Sequence, residues 1–438
     1  MYFSRHNILT GIAGSNDFIL VNILTGNADI LTSEEAAAID KGIFPDEKEF
    51  IDKGYLIEPE EEEKLFRQKY LEFIDNREND EVQLFFVPHY ACNFGCLYCY
   101  QDEYAYPVKL LNKDVIDAFY NFIDDRFKNR RKYITLFGGE PLLPGENRKK
   151  LISYFVDKSV QRQIDLAVVT NGYLVAEYLP VFKKARIREI QVTLDGTEDV
   201  HDKRRPLKNG DPTFRQIANG IDILLKEGFP VNLRVVVDKQ NIDNLPELSR
   251  FAIGKGWTAN PLFKTQLGRN YELHHCQSDN QKLFSRVALY EQLYDLIRNH
   301  PQILEFHKPA FSISKFLHEE GKLPFPLFDS CPGTKTEWAF DYTGSIYACT
   351  ATVGKSGEEL GRFYPDVWLD DDMISEWEDR DILSISACRD CPVQLACGGG
   401  CAAVAKNKSG GIYAPDCRPA KELIGLGTGL YFKSYSTV

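Results

Sequence analysis

The cysteines of this chain, eleven in all, fall into two groups and a singleton. Cys92, Cys96 and Cys99 lie within eight positions, seven more run from Cys331 to Cys417, and Cys276 stands alone. Clustered thiols of this kind point to metal or redox chemistry more than to disulfides. In the segment Cys92-Asn93-Phe94-Gly95-Cys96-Leu97-Tyr98-Cys99, the short spacings and the freedom of Gly95 let three thiols converge. A four-iron cube normally takes four cysteines, and the next one along the chain is Cys276. One iron would then stay open to a ligand, as catalytic metal sites keep a position open. The same spacing suits a Cys₃His zinc site with His89 or His201 as fourth ligand, and His89 also reads as an ordinary buried histidine.

Four further segments carry groups able to hold a small polar ligand. Gly138-Gly139-Glu140-Pro141 combines glycines that permit close backbone approach with a carboxylate able to accept from an ammonium group. Thr170-Asn171-Gly172 and Thr193-Leu194-Asp195-Gly196 follow. His201-Asp202-Lys203-Arg204-Arg205-Pro206 offers guanidinium groups that either pair with a ligand carboxylate or make surface salt bridges. Alone, a GGEP segment is simply a plausible turn.

These segments need a frame. Apolar stretches at Gln83–Val87, Tyr133–Phe137, Leu166–Thr170, Ile190–Leu194 and Leu233–Val237 read as strands, and Val115–Phe127 and Phe214–Leu225 as amphipathic helices. Such alternation predicts βαβ units in a parallel sheet or barrel, with the motifs at the C-terminal strand ends where barrel sites gather. Before it, two β-rich stretches (7–13 and 18–24) flank the turn Gly14-Ser15-Asn16-Asp17. Ser33 opens a short helix, and the acidic run Glu60–Glu63 reads as the solvated start of a longer one. The final third is rich in Gly, Pro and Cys and reads as held by metal more than by a core. The expected division is 1–80, a small winged-helix-like unit; 81–305, the barrel; and 306–438, the cysteine-rich part.

A chain of 438 residues is too long for one ordinary domain, and 43% hydrophobic content suffices for real cores. A net charge of −12 argues against nucleic acid or an anionic membrane as main partner. No signal peptide and no membrane-length apolar run is visible, so the expectation is a cytoplasmic protein.

The CxxxCxxC spacing with Tyr98 before its last cysteine, followed in order by GGEP, TNG, TLDG and the HDKRRP segment, resembles the radical S-adenosylmethionine (SAM) superfamily. The resemblance implies a partial (β/α)6 TIM-like barrel, a [4Fe–4S] cluster on Cys92, Cys96 and Cys99, and SAM on its open iron. SAM would be cleaved there to methionine and a hydrogen-abstracting 5′-deoxyadenosyl radical. It also implies cofactor-binding roles for Tyr98, Gly138, Gly139, Glu140, Thr193, Asp195 and Arg205, with the glutamate on SAM's amine.

Downstream, Cys331 and Cys349 give C-x₁₂-G-x₄-C, and Cys388, Cys391, Cys397, Cys401 and Cys417 give C-x₂-C-x₅-C-x₃-C-x₁₅-C. This layout resembles the SPASM domain, which binds auxiliary iron–sulfur clusters. The resemblance implies one complete cluster on Cys388, Cys391, Cys397 and Cys417, and a second on Cys331, Cys349 and Cys401. The fullest version of the pattern has another cysteine shortly before Cys331, and residues 311–330 contain none. The fourth position is then open, filled by a non-cysteine ligand, or taken by Cys276; an open position able to accept a substrate thiolate is the expectation. A zinc ribbon is the alternative reading of these spacings.

Relatives of this kind act on polypeptides, as maturases of ribosomally made peptides or as sulfatase activators. Residues 1–80 match in size and pattern a module that captures a leader peptide by strand addition, although a scaffold for the barrel fits equally. The expected activity is a thioether or carbon–carbon cross-link in a precursor peptide, with flavodoxin or ferredoxin as electron donor. The alternatives are formylglycine formation in a sulfatase and a non-catalytic iron–sulfur electron carrier. No general base is named by the sequence.

Overall fold

The computed structural model describes residues 1–99, 110–269 and 282–432; Cys276, His274 and His275 lie outside the described residues. The N-terminal part begins with β1 (Tyr2–Phe3), followed by an antiparallel sheet of β2 (Asn7–Gly11), β3 (Phe18–Asn22) and β4 (Asn27–Leu31). Helices Ser33–Ile39 and Glu47–Asp52 lead to β5 (Leu56–Ile57), which pairs with β1, and then to the long helix Pro59–Asn79. The first helix is capped by Thr32, one residue before the expected Ser33. Thr32 accepts from the Glu35 amide while Glu35 returns a bond to Thr32, a reciprocal cap.

From Val82 the chain winds β6 (Val82–Val87), β7 (Lys132–Leu136), β8 (Asp165–Thr170), β9 (Ile187–Thr193), β10 (Val231–Val237) and β11 (Phe263–Arg269). All six pair in parallel, in chain order, as a partial (β/α)6 barrel. Period-two alternation sorts each strand. Leu84, Phe86, Ile134, Leu136, Leu166, Val168, Leu233 and Val235 are buried in the apolar core shared with helices Lys113–Arg126, Glu146–Gln161 and Phe214–Lys226. Their alternates, including Gln83, Thr135, Gln191, Asn232 and Arg234, line a polar lumen of about 650 Å3. The sixth strand, Phe-Lys-Thr-Gln-Leu-Gly-Arg, goes unrecognised in the sequence because its polar alternates outweigh its apolar ones.

The expectation of a core-poor final third is corrected by the sheet itself. β12 (Glu337–Asp341) pairs in parallel with the free side of β6. β13 (Ser345–Tyr347), β14 (Glu359–Arg362) and β15 (Trp368–Leu369) then extend it antiparallel to ten strands. Trp338, Phe340, Ile346, Phe363 and Trp377 are all buried in the barrel's own core, so this part has ample apolar cohesion.

A second core joins the chain's two ends. Ile8, Ile19, Val21 and Phe66 pack with Phe328, Ile385, Leu395 and Ile424, and the Phe328 ring meets Phe66, Tyr70 and Phe73 at 5.1, 5.3 and 5.6 Å. The final helix, Ala420–Tyr431, lies against β2 through its glycines. A Cβ on Gly425 would stand 2.4 Å from the Gly11 carbonyl and one on Gly429 2.1 Å from that of Ala13, so only glycine fits. The Ala13 amide donates to the Gly425 carbonyl at 3.1 Å. No described helix is long and apolar enough to cross a membrane.

Candidate active site

Cys92, Cys96 and Cys99 line one cavity of about 290 Å3 at the C-terminal ends of the barrel strands, together with Tyr98, Gly138, Gly139, Asn171, Thr193 and Arg205. Burial, with the carboxylate of Glu140 and the neighbouring Cys96 and Cys99, pushes the Cys92 thiol up to about 12. Arg205 supplies the opposite charge. Its guanidinium is held well above its ordinary range by Cys96, Tyr98 and Asp195, against the cost of burial.

The cysteine loop is fastened from both sides. On one side the Glu140 amide donates to the Ala91 carbonyl at 3.0 Å, and the Gly139 amide to that of His89 at 3.3 Å. Cβ atoms at Gly138 and Gly139 would stand 2.8 Å from the His89 carbonyl and 2.2 Å from that of Tyr90. The two glycines thus admit the cysteine loop to the strand end, a different reason from ligand approach. On the other side the Gly95 amide donates to the Pro206 carbonyl at 2.9 Å and the Lys208 amide to that of Asn93 at 2.9 Å.

Behind the thiols runs a buried polar chain. Tyr98 Oη donates to Asp195 at 2.6 Å and accepts from Arg205 Nη1 at 2.6 Å. Asp195 also accepts from the Val236 amide at 3.0 Å, and Arg204 spans Asp195 and Asp238 at 3.4 and 2.9 Å. Asp195 and Arg204 are therefore fully engaged behind the wall, and the surface salt bridge expected of Arg204 is a buried one. Thr193 and Arg205 are themselves part of the wall. The Arg205 Nε is buried without a hydrogen-bond partner.

Glu140 is 1% exposed. Its carboxylate accepts from Thr170 Oγ1 (2.7 Å), the Asn171 amide (2.6 Å) and the Leu142 amide (2.9 Å). This uses three of the roughly four acceptor positions of a carboxylate. It pins the GGEP and TNG segments together, and it is not among the residues lining the cavity.

The histidines weighed as zinc ligands stand otherwise. His201 Nδ1 accepts from the Asp195 amide at 3.1 Å while Nε2 meets Thr213 Oγ1 at 3.1 Å, so both ring nitrogens are engaged. Burial and Arg148 hold His89 down to about 4, leaving it neutral with both ring nitrogens buried and unpartnered. Among the described residues no three His, Cys, Asp or Glu side chains close on one point as ligands of a single ion. Thiolates that each take a different iron of a cube stand further apart than ligands of one ion.

The later cysteines form two sets. Burial and the nearby Cys397, Cys391 and Cys417 push the Cys388 thiol up to about 11. Separately, burial, Glu337, Cys331 and Cys401 hold the Cys349 thiol well above its ordinary value. Cys417 is exposed, whereas Cys331 and Cys349 are buried. Thr350 and Ala351, directly after Cys349, belong to the wall of the Cys92 cavity. The Glu337 carboxylate, on β12, accepts from the Thr350 amide at 3.1 Å.

Several wall residues escape the sequence reading: Phe137, Val169, Gln191, Arg234, Val236, Arg269, Thr350 and Ala351. Arg234 carried a usable signal, since Asn232 and Arg234 are the polar alternates of an otherwise apolar strand.

Comparison with known proteins agrees with this geometry. Residues 86–252 match the model of the radical SAM superfamily. The chain is 30% identical over 173 residues to an uncharacterized protein of Methanocaldococcus jannaschii, covering 38% of this chain and 56% of that one. It is 32% identical over 159 residues to a serine-type anaerobic sulfatase-maturating enzyme of Bacteroides thetaiotaomicron, covering 35% of this chain and 38% of that enzyme. The match thus spans about half or less of these relatives' length. Among solved structures, anSMEcpe with bound AdoMet and the Cp18Cys peptide superposes with a TM-score of 0.59 at 16% identity, over 81% of this chain and 97% of that one. Streptococcus suis SuiB bound to its precursor peptide SuiA superposes with a TM-score of 0.55 at 15% identity, over 95% and 98%.

A radical SAM domain implies SAM and a [4Fe–4S] cluster, and the residues present fit both. Three thiols share one cavity, and the orphaned Nε of the buried Arg205 guanidinium stands in the same wall as a donor for a carboxylate. Residues 86–252 are a radical SAM domain.

Proposed function

We propose that this chain is a peptide maturase that forms a thioether or carbon–carbon cross-link within a ribosomally made precursor. The observation that carries this reading is the shared wall. Thr350 and Ala351 place the Cys331, Cys349 and Cys401 set beside the cavity of Cys92, Cys96 and Cys99. Closing a cross-link after hydrogen abstraction requires the substrate to give up one more electron, and a second cluster adjoining the cavity offers the route. SAM bound there supplies the hydrogen-atom abstraction.

The chain's own residues bind, orient and shield. Arg205 presents its guanidinium to a carboxylate, and Asn171 and Thr193 offer hydrogen bonds to the sugar and amino groups of a nucleoside. Glu140 keeps an acceptor position for an amine, while Gly138 and Gly139 seat the loop. Val169, Val236 and Ala351 exclude water. Cys388, Cys391, Cys397 and Cys417 would hold one closed auxiliary cluster. Cys331, Cys349 and Cys401 would hold another with its fourth position open to a substrate thiolate.

Residues 1–80 serve in this reading as the leader-binding unit, 81–305 as the catalytic barrel and 306–438 as the auxiliary-cluster part. β4 is an edge of its three-stranded sheet, whereas β2 is covered by the final helix, so β4 is the side to which a leader strand can add. A soluble acidic carrier such as flavodoxin or ferredoxin is the proposed electron donor, in the cytoplasm.

The test is anaerobic incubation of the reconstituted enzyme with SAM, reductant and a candidate precursor encoded beside its gene, followed by mass spectrometry. Release of 5′-deoxyadenosine with a peptide lighter by a pair of hydrogens supports the reading, and fragmentation locates the bond. The identity to a sulfatase-maturating enzyme favours a second reading, oxidation of a Ser or Cys side chain to formylglycine. That reading wins if a sulfatase-derived peptide is converted and the precursor is not. No deoxyadenosine from an enzyme with intact clusters sinks both.

A further inference from the structure

Two cavities meet inside the barrel, and one guanidinium stands where they meet. The polar lumen and the cavity of Cys92, Cys96 and Cys99 share Phe137, Val169, Gln191, Arg234 and Thr350. These five come from the end of β7, from β8, β9 and β10, and from the segment after β13, so they form a common rim. Around that rim charge is matched residue by residue. In the lumen Arg188 pairs with Glu81 and Asp165, and Glu189 pairs with Lys264 while accepting from Asn232 at 2.9 Å. The neutral Gln191 donates to Gln266 at 2.9 Å. The half-buried Arg234 is different: among the described residues its guanidinium makes no hydrogen bond and no ion pair. The wall of the reaction cavity offers it no carboxylate.

The neighbouring strand sets the direction of this side chain. Arg234 lies beside Gln266 of β11, yet its guanidinium leans two positions further along, against Gly268. A Cβ on Gly268 would stand 3.1 Å from Nη2 and 3.3 Å from Nε, closer than side chains ordinarily pack. Glycine at that point of the strand therefore leaves the head group its room at the cysteine end of the barrel. An arginine fork held over a cavity without a counterion calls for an anion, and its planar geometry suits a carboxylate. Arg205 is placed otherwise. It lines the reaction cavity alone, is held by Tyr98 and is drawn to Cys96, on the side of the cluster.

We propose that Arg234 binds a carboxylate of the peptide substrate, either an Asp or Glu side chain or the C-terminus, and so selects which residue stands in the reaction cavity. Arg205 then serves the carboxylate of SAM, and Arg234 serves the group that approaches from the lumen side. The inference rests on the peptide-maturase reading and adds a specificity-determining residue to it.

The probe is the candidate precursor encoded beside the gene, labelled with fluorescein at its N-terminus and titrated by anisotropy into anaerobic, cluster-loaded full-length enzyme. Its controls are the same peptide with each Asp and Glu changed in turn to Asn and Gln, and with its C-terminus amidated. One neutral version should bind about tenfold more weakly than the native peptide, and which one it is tells a side chain from the terminus. R234Q should lose the same factor on the native peptide and bind native and neutral versions alike, as a double-mutant cycle requires. R234K should recover part of the margin, and cluster absorption checks that both variants are folded. No margin with the wild-type enzyme, whether or not the peptides bind, overturns the proposal, as does a margin that R234Q leaves in place. So does a loss of SAM affinity in R234Q, measured without peptide, as large as the loss for the peptide, which assigns the guanidinium to SAM. The expected margin with no peptide ever modified leaves the Arg234 assignment standing and counts against the maturase reading alone.

Discussion

The two three-thiol sets of this protein are assembled in opposite ways. Cys92, Cys96 and Cys99 come from one short loop at the end of β6, positioned by backbone bonds to Gly139, Glu140 and Pro206. Cys331, Cys349 and Cys401 are collected across seventy positions by β12, β13 and the start of helix Ala402–Ser409, and two of them are buried. The first set faces a guanidinium, Arg205, as well as the Glu140 carboxylate, whereas Cys349 of the second lies beside the half-buried carboxylate of Glu337. A cationic neighbour favours thiolate and bound anion together; an anionic one disfavours added negative charge. The difference suggests a division of labour: the open loop takes a ligand, and the enclosed set handles electrons.

The largest test of that division is a pair of cysteine substitutions. Cys96→Ala should abolish SAM cleavage, read as 5′-deoxyadenosine by chromatography. Cys349→Ala should keep cleavage within severalfold and lose the cross-linked product. If both variants lose cleavage alike, the division fails. Next in size, Arg205→Lys should weaken SAM binding by roughly ten- to hundredfold in calorimetry. A lysine keeps the charge and loses the planar fork that Tyr98 orients. Full affinity in that variant would reduce Arg205 to a charge.

A smaller effect is expected at the second set. Glu337→Gln removes a half-buried carboxylate from beside Cys349 while keeping an acceptor for the Thr350 amide. SAM cleavage should be unchanged, and the auxiliary signal should shift in paramagnetic resonance and titrate at a higher potential. An unmoved potential would show that the carboxylate does not act on that cluster.

The smallest effect belongs to a substitution remote from both sets. Tyr2 and Ser4 donate to the buried carboxylate of Glu62, and burial pushes it from 4.5 up to about 7. Across that interval the folded chain keeps a proton that the unfolded chain releases, so this group makes stability fall as pH rises from about 4.5 to about 7. Glu62→Gln should flatten the melting temperature over that range and leave both clusters spectroscopically untouched.

What the sequence makes legible follows the same contrast. Cys92, Cys96 and Cys99 are local in the chain, so their spacing alone carried them, as did the apolar periodicity of β6 to β10. The GGEP and TLDG segments stand at strand ends as their sequence implies, but the structural bonds their side chains make are not legible there. Glu140 and Asp195 look like ligand groups in one dimension, and only the fold reveals how many bonds they already make. β11 was missed because a lumen-facing strand carries polar alternates, Lys264 and Gln266 among them, and loses its apolar signature. β12 to β15 were hidden for another reason. Cysteine and glycine content suggested loops, and nothing local announces that Glu337–Asp341 will find the free side of a strand some 250 residues earlier.

The glycine-lined seat of the final helix on β2 has a consequence for synthesis. Contacts between Gly11 and Gly425, and between Ala13 and Gly429, are among the longest closures this chain can make. Loops of that length close late, and during translation they cannot close until the helix near residue 430 has left the ribosome. The sheet of β2, β3 and β4 is thus made well before it is locked. Residues 388–417 have by then emerged, so Cys388, Cys391, Cys397 and Cys417 are all outside the ribosome before that contact forms.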